Sequence, residues 1–501
     1  MSTIRKQSII SSFIIYIGFA IGLLNTYFFT KEGLFTEEQY GLTSIFIAIA
    51  SMMTAFAALG MPSYLFKFYP YYKDHLSPRK IDMLTWALLT SLVGFLLVIL
   101  AGTVLKDLII RKFGEHSPLL VMYYNWIFPM GFGLTIYSIL EVYAWNFHKA
   151  AFTSFLREVQ WRLFTTLLIV LFVFNIISDF DLFIKLYAFT YPGIALILFF
   201  YLVITKKVHF TFTVSKVSRR YFKQILRLCS FVYAGNLILT ISLVFDSIVI
   251  ASLGGLDKAG IFGLAQIMTS VIQAPQRGIV AASISHLSRA WKEKDMQLLK
   301  RVYQRSSINL LIFALGIFIL IALNYRDAIA TFGLKESFLL GFNAFLFLGI
   351  TRVIDLGTGM NAQIIATSTW WKFELISGVI LLAFMLPLSY ILTKQYGIIG
   401  PAIANLISVT IYNAIRIIFL WKKFKLFPFT VQSIYTVLLA SACYAACYFL
   451  FRDMQGLAGL VLRSLAFMIL YGAGVLRLRL SPDIIPVAQT IRKRMGWKKD
   501  Q

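Results

Sequence analysis

Enzymatic chemistry needs nucleophiles, general acids and bases or metal ligands at workable spacings. This sequence places none in such an arrangement. Its five histidines, His75, His116, His148, His209 and His286, fall in expected loops or near the ends of apolar runs. No HExxH, phosphate-binding glycine loop or nucleophile elbow occurs. Cys229, Cys443 and Cys447 all lie inside apolar runs, so neither a disulfide framework nor a zinc spacing follows. No metal site, cofactor or catalytic residue is expected. The residues that invite explanation are charges and amides set in apolar surroundings.

An ionisable side chain inside a bilayer costs about 2.5–3.5 kcal/mol on insertion scales, so each is a functional candidate by default. Arg277 follows Pro275 in QAPQRG, where proline frees a backbone carbonyl and local unwinding can line a cavity. It has no obvious acidic neighbour in sequence, which favours a role toward substrate. Arg352 and Asp355, at i and i+3, share a helix face and form either a structural salt bridge or part of a site. Glu141 is a proton or cation site or a partner for an arginine. Asp246, in LVFDSIVIASLGG, either pairs with a cation or reaches the outer interface. Gln273, Gln276, Asn361, Asn25 and Asn236 can hydrogen-bond a sugar, or link helices at about 0.6 kcal/mol each. Glu158 and Arg162, at i and i+4, read as a structural pair, and Lys67 among Tyr69, Tyr71 and Tyr72 as an interfacial anchor.

The elements that must position these residues are membrane spans. Of 501 residues, 59% are hydrophobic and 14% charged, with mean hydropathy +0.77. Soluble domains carry about 25% charge, so the deficit excludes a water-facing surface over most of the chain. Apolar runs long enough for a ~30 Å hydrocarbon core occur near 9–29, 42–66, 82–104, 119–145, 160–178, 182–205 and 229–252. They continue near 259–286, 306–324, 337–361, 373–393, 398–420, 430–451 and 456–476. The first is too long for a signal-peptide core and lacks a cleavage site, so it reads as a span.

The net charge of +25 sits in short clusters between these runs, marking membrane topology rather than a nucleic-acid surface. With both termini inside, 32 basic residues fall on the cytoplasmic side, 10 outside and five within spans: Arg162, Arg277, Arg352, Arg416 and Arg463. Only Lys106, Arg111 and Lys112 strain the alternation. Segment 206–228 contains SRRYFKQILRL, amphipathic and basic, suited to an anionic inner leaflet; the tail from 477 reads similarly.

An internal repeat is also legible. EEQYGL (37–42) matches LDKAGI (256–261) at a shift of 219, so Gly41 meets Gly260, and YKD (72–74) falls on WKE (291–293). At a shift of 214, Glu141 falls on Asp355 and Thr153-Ser154 on Thr367-Ser368. Six spans per repeat keep the halves in the same orientation, related by an axis along the membrane normal. The expected fold is an all-α membrane protein of about fourteen transmembrane helices. Residues 1–205 form one six-helix bundle, 206–228 an amphipathic cytoplasmic linker and 229–421 the second bundle. Two further helices occupy 422–476 and a basic cytoplasmic tail 477–501.

This architecture, with DSIVIASLGGLDKAGIFGLAQ (246–266), QAPQRGIVAASISHLSRAWKEKD (273–295), EEQYGL and PSYLFKFYP, resembles the polysaccharide-transporter branch of the multidrug/oligosaccharidyl-lipid/polysaccharide (MOP) exporter superfamily. The likeness covers nearly the whole chain and rests on spacing and glycines. It implies a Wzx-like flippase that moves an undecaprenyl-pyrophosphate-linked oligosaccharide across the bacterial inner membrane, acting as a monomer. It also implies a cationic central cavity to which Arg277 would belong; Arg352, Gln273, Gln276 and Asn361 are further cavity candidates. Glu141, Asp246 and Asp355 are candidates for charge pairing or for coupling to H⁺ or Na⁺. Lipid II flippases carry a span-1 arginine that this chain lacks between Lys6 and Lys31, which favours the oligosaccharide branch. Two other readings stay open: a drug/cation antiporter of the same superfamily, which usually has twelve spans, and a membrane-embedded glycan polymerase or ligase, which would need a larger outer loop.

Overall fold

The computed structural model describes residues 3–483, without the side chains of residues 3–12, 277, 278, 281, 282 and 284–286. The basic tail beyond 483 and the N-terminal Arg5 and Lys6 side chains therefore lie outside the described residues. The described chain is helical throughout, with no strand beyond one isolated bridge at Lys31 and one at Leu334.

Two compact units divide the chain at Gly260. The first contains α1 (Thr3–Thr30), α2 (Glu37–Ala57), α3 (Met61–His75), α4 (Met83–Val104), α5 (Lys106–Phe113) and α6 (Pro118–Met122). It continues through α7 (Ile127–Trp145), α8 (Ala150–Phe155), α9 (Trp161–Val173), α10 (Phe180–Ala188), α11 (Thr190–Ile204) and α12 (Lys216–Leu253). Helix α13 (Leu256–Ile272) begins at the end of the first unit. The second holds α14 (Ala274–Glu293), α15 (Met296–Thr331), α16 (Phe342–Gly357), α17 (Asn361–Thr367), α18 (Lys372–Tyr396) and α19 (Gly400–Phe424). The C-terminal pair, α20 (Val431–Leu450) and α21 (Gly456–Arg477), completes it.

Helix occupies all fourteen apolar runs, and among the described residues eleven segments are long and apolar enough to cross a bilayer. Three differences in local geometry account for the gap. Helix α9 has 13 residues and is preceded by a π-helical turn over Leu156–Gln160. The eighth run is interrupted at Gln273, between α13 and α14. The eleventh and twelfth runs join in one segment, Lys372–Phe424.

The start signals are those expected of buried helices whose first N–H groups need partners. Thr36 and Gln39 close a capping box at α2. Ser215 accepts from Ser218 N at α12, and Asp295 from Leu298 N at α15. Helix α12 has 38 residues, about 57 Å at 1.5 Å per residue and well beyond the ~30 Å hydrocarbon core. The basic stretch 218–228 is thus continuous with the seventh apolar run in a single helix, and α12 packs on α2 and α3. Large apolar side chains such as Leu97, Phe449 and Ile469 are 59%, 71% and 68% exposed, which fits helices that face hydrocarbon.

The repeat-matched segments occupy equivalent places. The second and eighth runs both break, at Ala58–Gly60 and at Gln273, and the following helix carries a proline in its first turn, Pro62 or Pro275. A proline there forfeits no hydrogen bond. Helices α7 and α16 are each followed by a short helix, α8 and α17. Gly41 and Gly260 meet directly: a Cβ on Gly41 would lie 1.9 Å from Leu256 O, and one on Gly260 would lie 2.6 Å from Glu37 O.

Candidate functional site: two charge networks

In the first unit, Glu141 is buried in the last part of α7 and lies 3.3 Å from Arg157 Nη1. Arg157 and Glu158 sit in the π-helical turn before α9. One turn on, Arg162 Nη1 donates to Glu158 Oε2 at 2.7 Å. Asn25 of α1 donates to Arg162 O at 2.9 Å and accepts from Thr166 at 2.7 Å. Helix α1 can come this close because it presents glycine: a Cβ at Gly18 would sit 2.3 Å from Glu158 O, and one at Gly22 would sit 2.9 Å from Arg162 Nε. The small residues of α1 and the charges of α9 are therefore one packing solution.

In the second unit a continuous polar chain links α16, α17, α18 and α19. Asn413 Nδ2 donates to Asp355 Oδ1 at 3.0 Å, and Asn361 Nδ2 donates to Asn413 Oδ1 at 2.8 Å. Arg416 Nη1 donates to Asn361 Oδ1 at 3.4 Å, its Nε donates to Ser377 Oγ at 3.3 Å, and its Nη2 pairs with Glu374. Its guanidinium carbon lies 3.7 Å from the centre of the Tyr412 ring. Arg416 is 3% exposed. A buried guanidinium is tolerable only when its N–H groups and charge are met, and four partners meet them here.

A second buried arginine serves packing. Arg463 of α21 pairs with Asp327 of α15 at 2.5 Å and also donates to the carbonyls of Leu323, Phe451 and Met454 at 2.8–3.1 Å. With Tyr471 stacked on Phe467 and hydrogen-bonded to Ile312 O, it fastens the C-terminal helices to α15.

The remaining candidates are dispersed. Asp246 is buried in the C-terminal part of α12. Gln273 and Gln276 flank the α13–α14 break and are half-buried. Arg352 is half-buried on α16, one turn before Asp355. Arg277 lies in the first turn of α14, and its side chain is outside the described residues. Among the described residues, no group of three His, Cys, Asp or Glu side chains could hold a metal ion.

Sequence reasoning had not singled out Arg157, Glu374, Asn413 or Ser377 for a site, and Arg416 only as a charge within a span. Spacing gave no signal for these partners, because they lie on different helices. The recurrence of an acid at the start of spans 5 and 11, Glu158 and Glu374, was the one available clue.

Comparison with known proteins bears on the fold. The polysaccharide biosynthesis protein family matches residues 4–291. A comparison with curated protein sequences gives no match. Among solved structures, the chain is similar to the lipid II flippase MurJ in an inward closed conformation, at 17% identity and TM-score 0.70, over 95% of this chain and 100% of that one. It is similar to an inward-facing multidrug resistance MATE family transporter of the MOP superfamily, at 17% identity and TM-score 0.61, over 83% and 99%. A MOP superfamily transporter from Pyrococcus furiosus aligns at 18% identity and TM-score 0.55, over 88% and 96%. With over half of its residues matched, this chain belongs to the polysaccharide biosynthesis protein family, and it has the fold of the MOP superfamily membrane transporters.

Proposed function

We propose that this protein is a flippase that carries a lipid-linked oligosaccharide, on undecaprenyl pyrophosphate, across the bacterial inner membrane by alternating access. The observation that carries this reading is a fold likeness to a lipid II flippase along 95% of the chain, in a member of a polysaccharide biosynthesis family. The MATE likeness reaches less of the chain, 83%, in keeping with C-terminal helices beyond a twelve-span core. In this reading residues 1–205 and 229–421 act as paired bundles, 422–476 is appended, and both termini are cytoplasmic.

The chemistry suits such a cargo. A glycan in hydrocarbon would leave many hydroxyls without partners, so it needs a polar path while the lipid tail stays in the bilayer. Arginine meets a pyrophosphate through two parallel N–H donors. In this reading Arg277 and Arg352 take the substrate role, with Gln273, Gln276 and Asn361 as supporting polar groups, while Arg162, Arg416 and Arg463 pair with acids on their own units. Glu141, Asp246 and Asp355 are the carboxylates through which H⁺ or Na⁺ would couple.

Arg277→Ala is expected to insert and fold normally while lipid-linked glycan accumulates on the cytoplasmic face, read by accessibility of the headgroup in inverted and right-side-out vesicles. Normal surface glycan in that variant would remove Arg277 from the site.

A further inference from the structure

Outside both charge networks, the first unit contains a cavity of about 560 Å³ between the starts of α3, α4 and α12, within the ~300–1,000 Å³ range of small-molecule sites. Its walls are mainly apolar and include Met61, Phe222 and Leu226. Phe222 and Leu226 are 62% and 57% exposed, so the cavity is open along the side of α12.

The polar end is built rigidly. Asp82 is fully buried and accepts from Ser215 N and from Ser218 Oγ, both at 2.8 Å. Ser218 Oγ in turn is 2.7 Å from Tyr72 OH, which is 2.8 Å from Tyr64 OH. This chain joins the first turn of α12 to α3 and α4 and fixes Tyr64 and Ser218 in the cavity wall. Trp86 also lines the cavity, and its buried indole Nε1–H has no hydrogen-bond partner. A buried donor of that kind calls for an acceptor.

The rim carries the opposite of a phosphate's charge. Segment 205–229 holds seven Lys and Arg and no Asp or Glu. Arg219 lines the cavity at the solvent-exposed edge, with Arg220 and Lys223 beside it. In the topology set out above, this end of α12 lies at the inner leaflet, where basic clusters attract anionic lipid.

We propose that the cavity is a binding site for a single anionic phospholipid of the phosphatidylglycerol type. An acyl chain occupies the apolar wall along Phe222 and Leu226, the phosphate meets Arg219, and Trp86 donates to an ester oxygen. This lipid is a resident ligand of the first unit, separate from the cargo.

The test is native mass spectrometry of the full-length protein titrated with phosphatidylglycerol and, separately, with phosphatidylcholine. One phosphatidylglycerol is expected to be retained preferentially. Arg219→Gln should weaken retention about fivefold through the lost surface cation, and Trp86→Phe, which keeps the ring and removes the donor, by a similar factor of about five. Both variants should keep the wild-type elution profile and helical content, because neither residue joins the Asp82–Ser218–Tyr72 chain. Equal retention of the two lipids, or retention unchanged in both variants, overturns the assignment. Displacement of phosphatidylglycerol by equimolar undecaprenyl phosphate, sensitive to the same two substitutions, would assign the cavity to the polyprenyl chain and overturn it equally.

Discussion

At the scale of single residues, the meaning of a charge in this protein is decided by its partners. Arg416 is enclosed by Glu374, Asn361, Ser377 and the face of Tyr412, so its removal strands an acid and breaks a four-helix polar chain. Breaking a buried ion pair costs about 3–5 kcal/mol, and Glu374, 31% exposed at its side chain, can rehydrate in part. Arg416→Met is therefore expected to lower stability by about 3 kcal/mol, seen as a lower melting temperature of the purified protein. Adding Glu374→Leu should restore much of the loss by removing the orphaned carboxylate. If the double variant melts below the single one, the pair is not coupled as described. Arg277→Ala makes the opposite demand, a transport defect with the fold intact.

At the scale of elements, close helix packing depends on a few missing side chains. The crossing of α2 with the start of α13 leaves no room at Gly41, where a Cβ would lie 1.9 Å from the backbone oxygen of Leu256. Backbone cannot rotate away as a flexible side chain can, so Gly41→Ala must push the two segments apart. Overpacking of this type costs about 1–3 kcal/mol, and the same experiment at Gly260, with 2.6 Å to Glu37 O, should give a smaller but parallel loss. A wild-type melting temperature for Gly41→Ala would refute the crossing. Both glycines were visible in sequence as a repeat match; their mutual contact was not. The break at Gln273 was also legible, because Pro275 would remove a hydrogen bond from an uninterrupted helix and is tolerated only where a new helix starts. The π turn before α9 had no such signature, and it left the fifth run with an α-helix too short to count as a span by itself.

At the scale of the whole molecule, the arrangement of basic residues makes a topology prediction that labelling can read. Asp74 and Glu115 are both exposed, and the three native cysteines are buried, which keeps the background low. With cytoplasmic termini, Glu115→Cys should react with a membrane-impermeant maleimide in intact cells, and Asp74→Cys only after permeabilisation. The reverse pattern would invert the assignment of every loop. Lys106, Arg111 and Lys112, the basic residues that strain the rule, all fall within α5, a short amphipathic helix after α4. There, long basic side chains can lie along an interface whichever leaflet they meet.

The membrane class and the helical character of the long apolar runs were legible in the amino-acid sequence alone. These follow from local properties: in hydrocarbon a backbone must satisfy its own hydrogen bonds, so an apolar run of sufficient length becomes helix whatever surrounds it. The pairing of charges on different helices was decided by tertiary structure alone. Arg416 and Glu374 are 42 residues apart, and Arg463 and Asp327 are 136 apart; only the rotation and packing of their helices bring them together. The same packing ties Arg416 and Arg463 to acids on their own units, charges that the sequence could only count, whereas the Glu158–Arg162 pair was legible from its i, i+4 spacing. It also folds the basic segment 218–228 into α12 and so opens the cavity beside Arg219 and Trp86, because the buried Asp82 on α4 holds the start of that helix against α3.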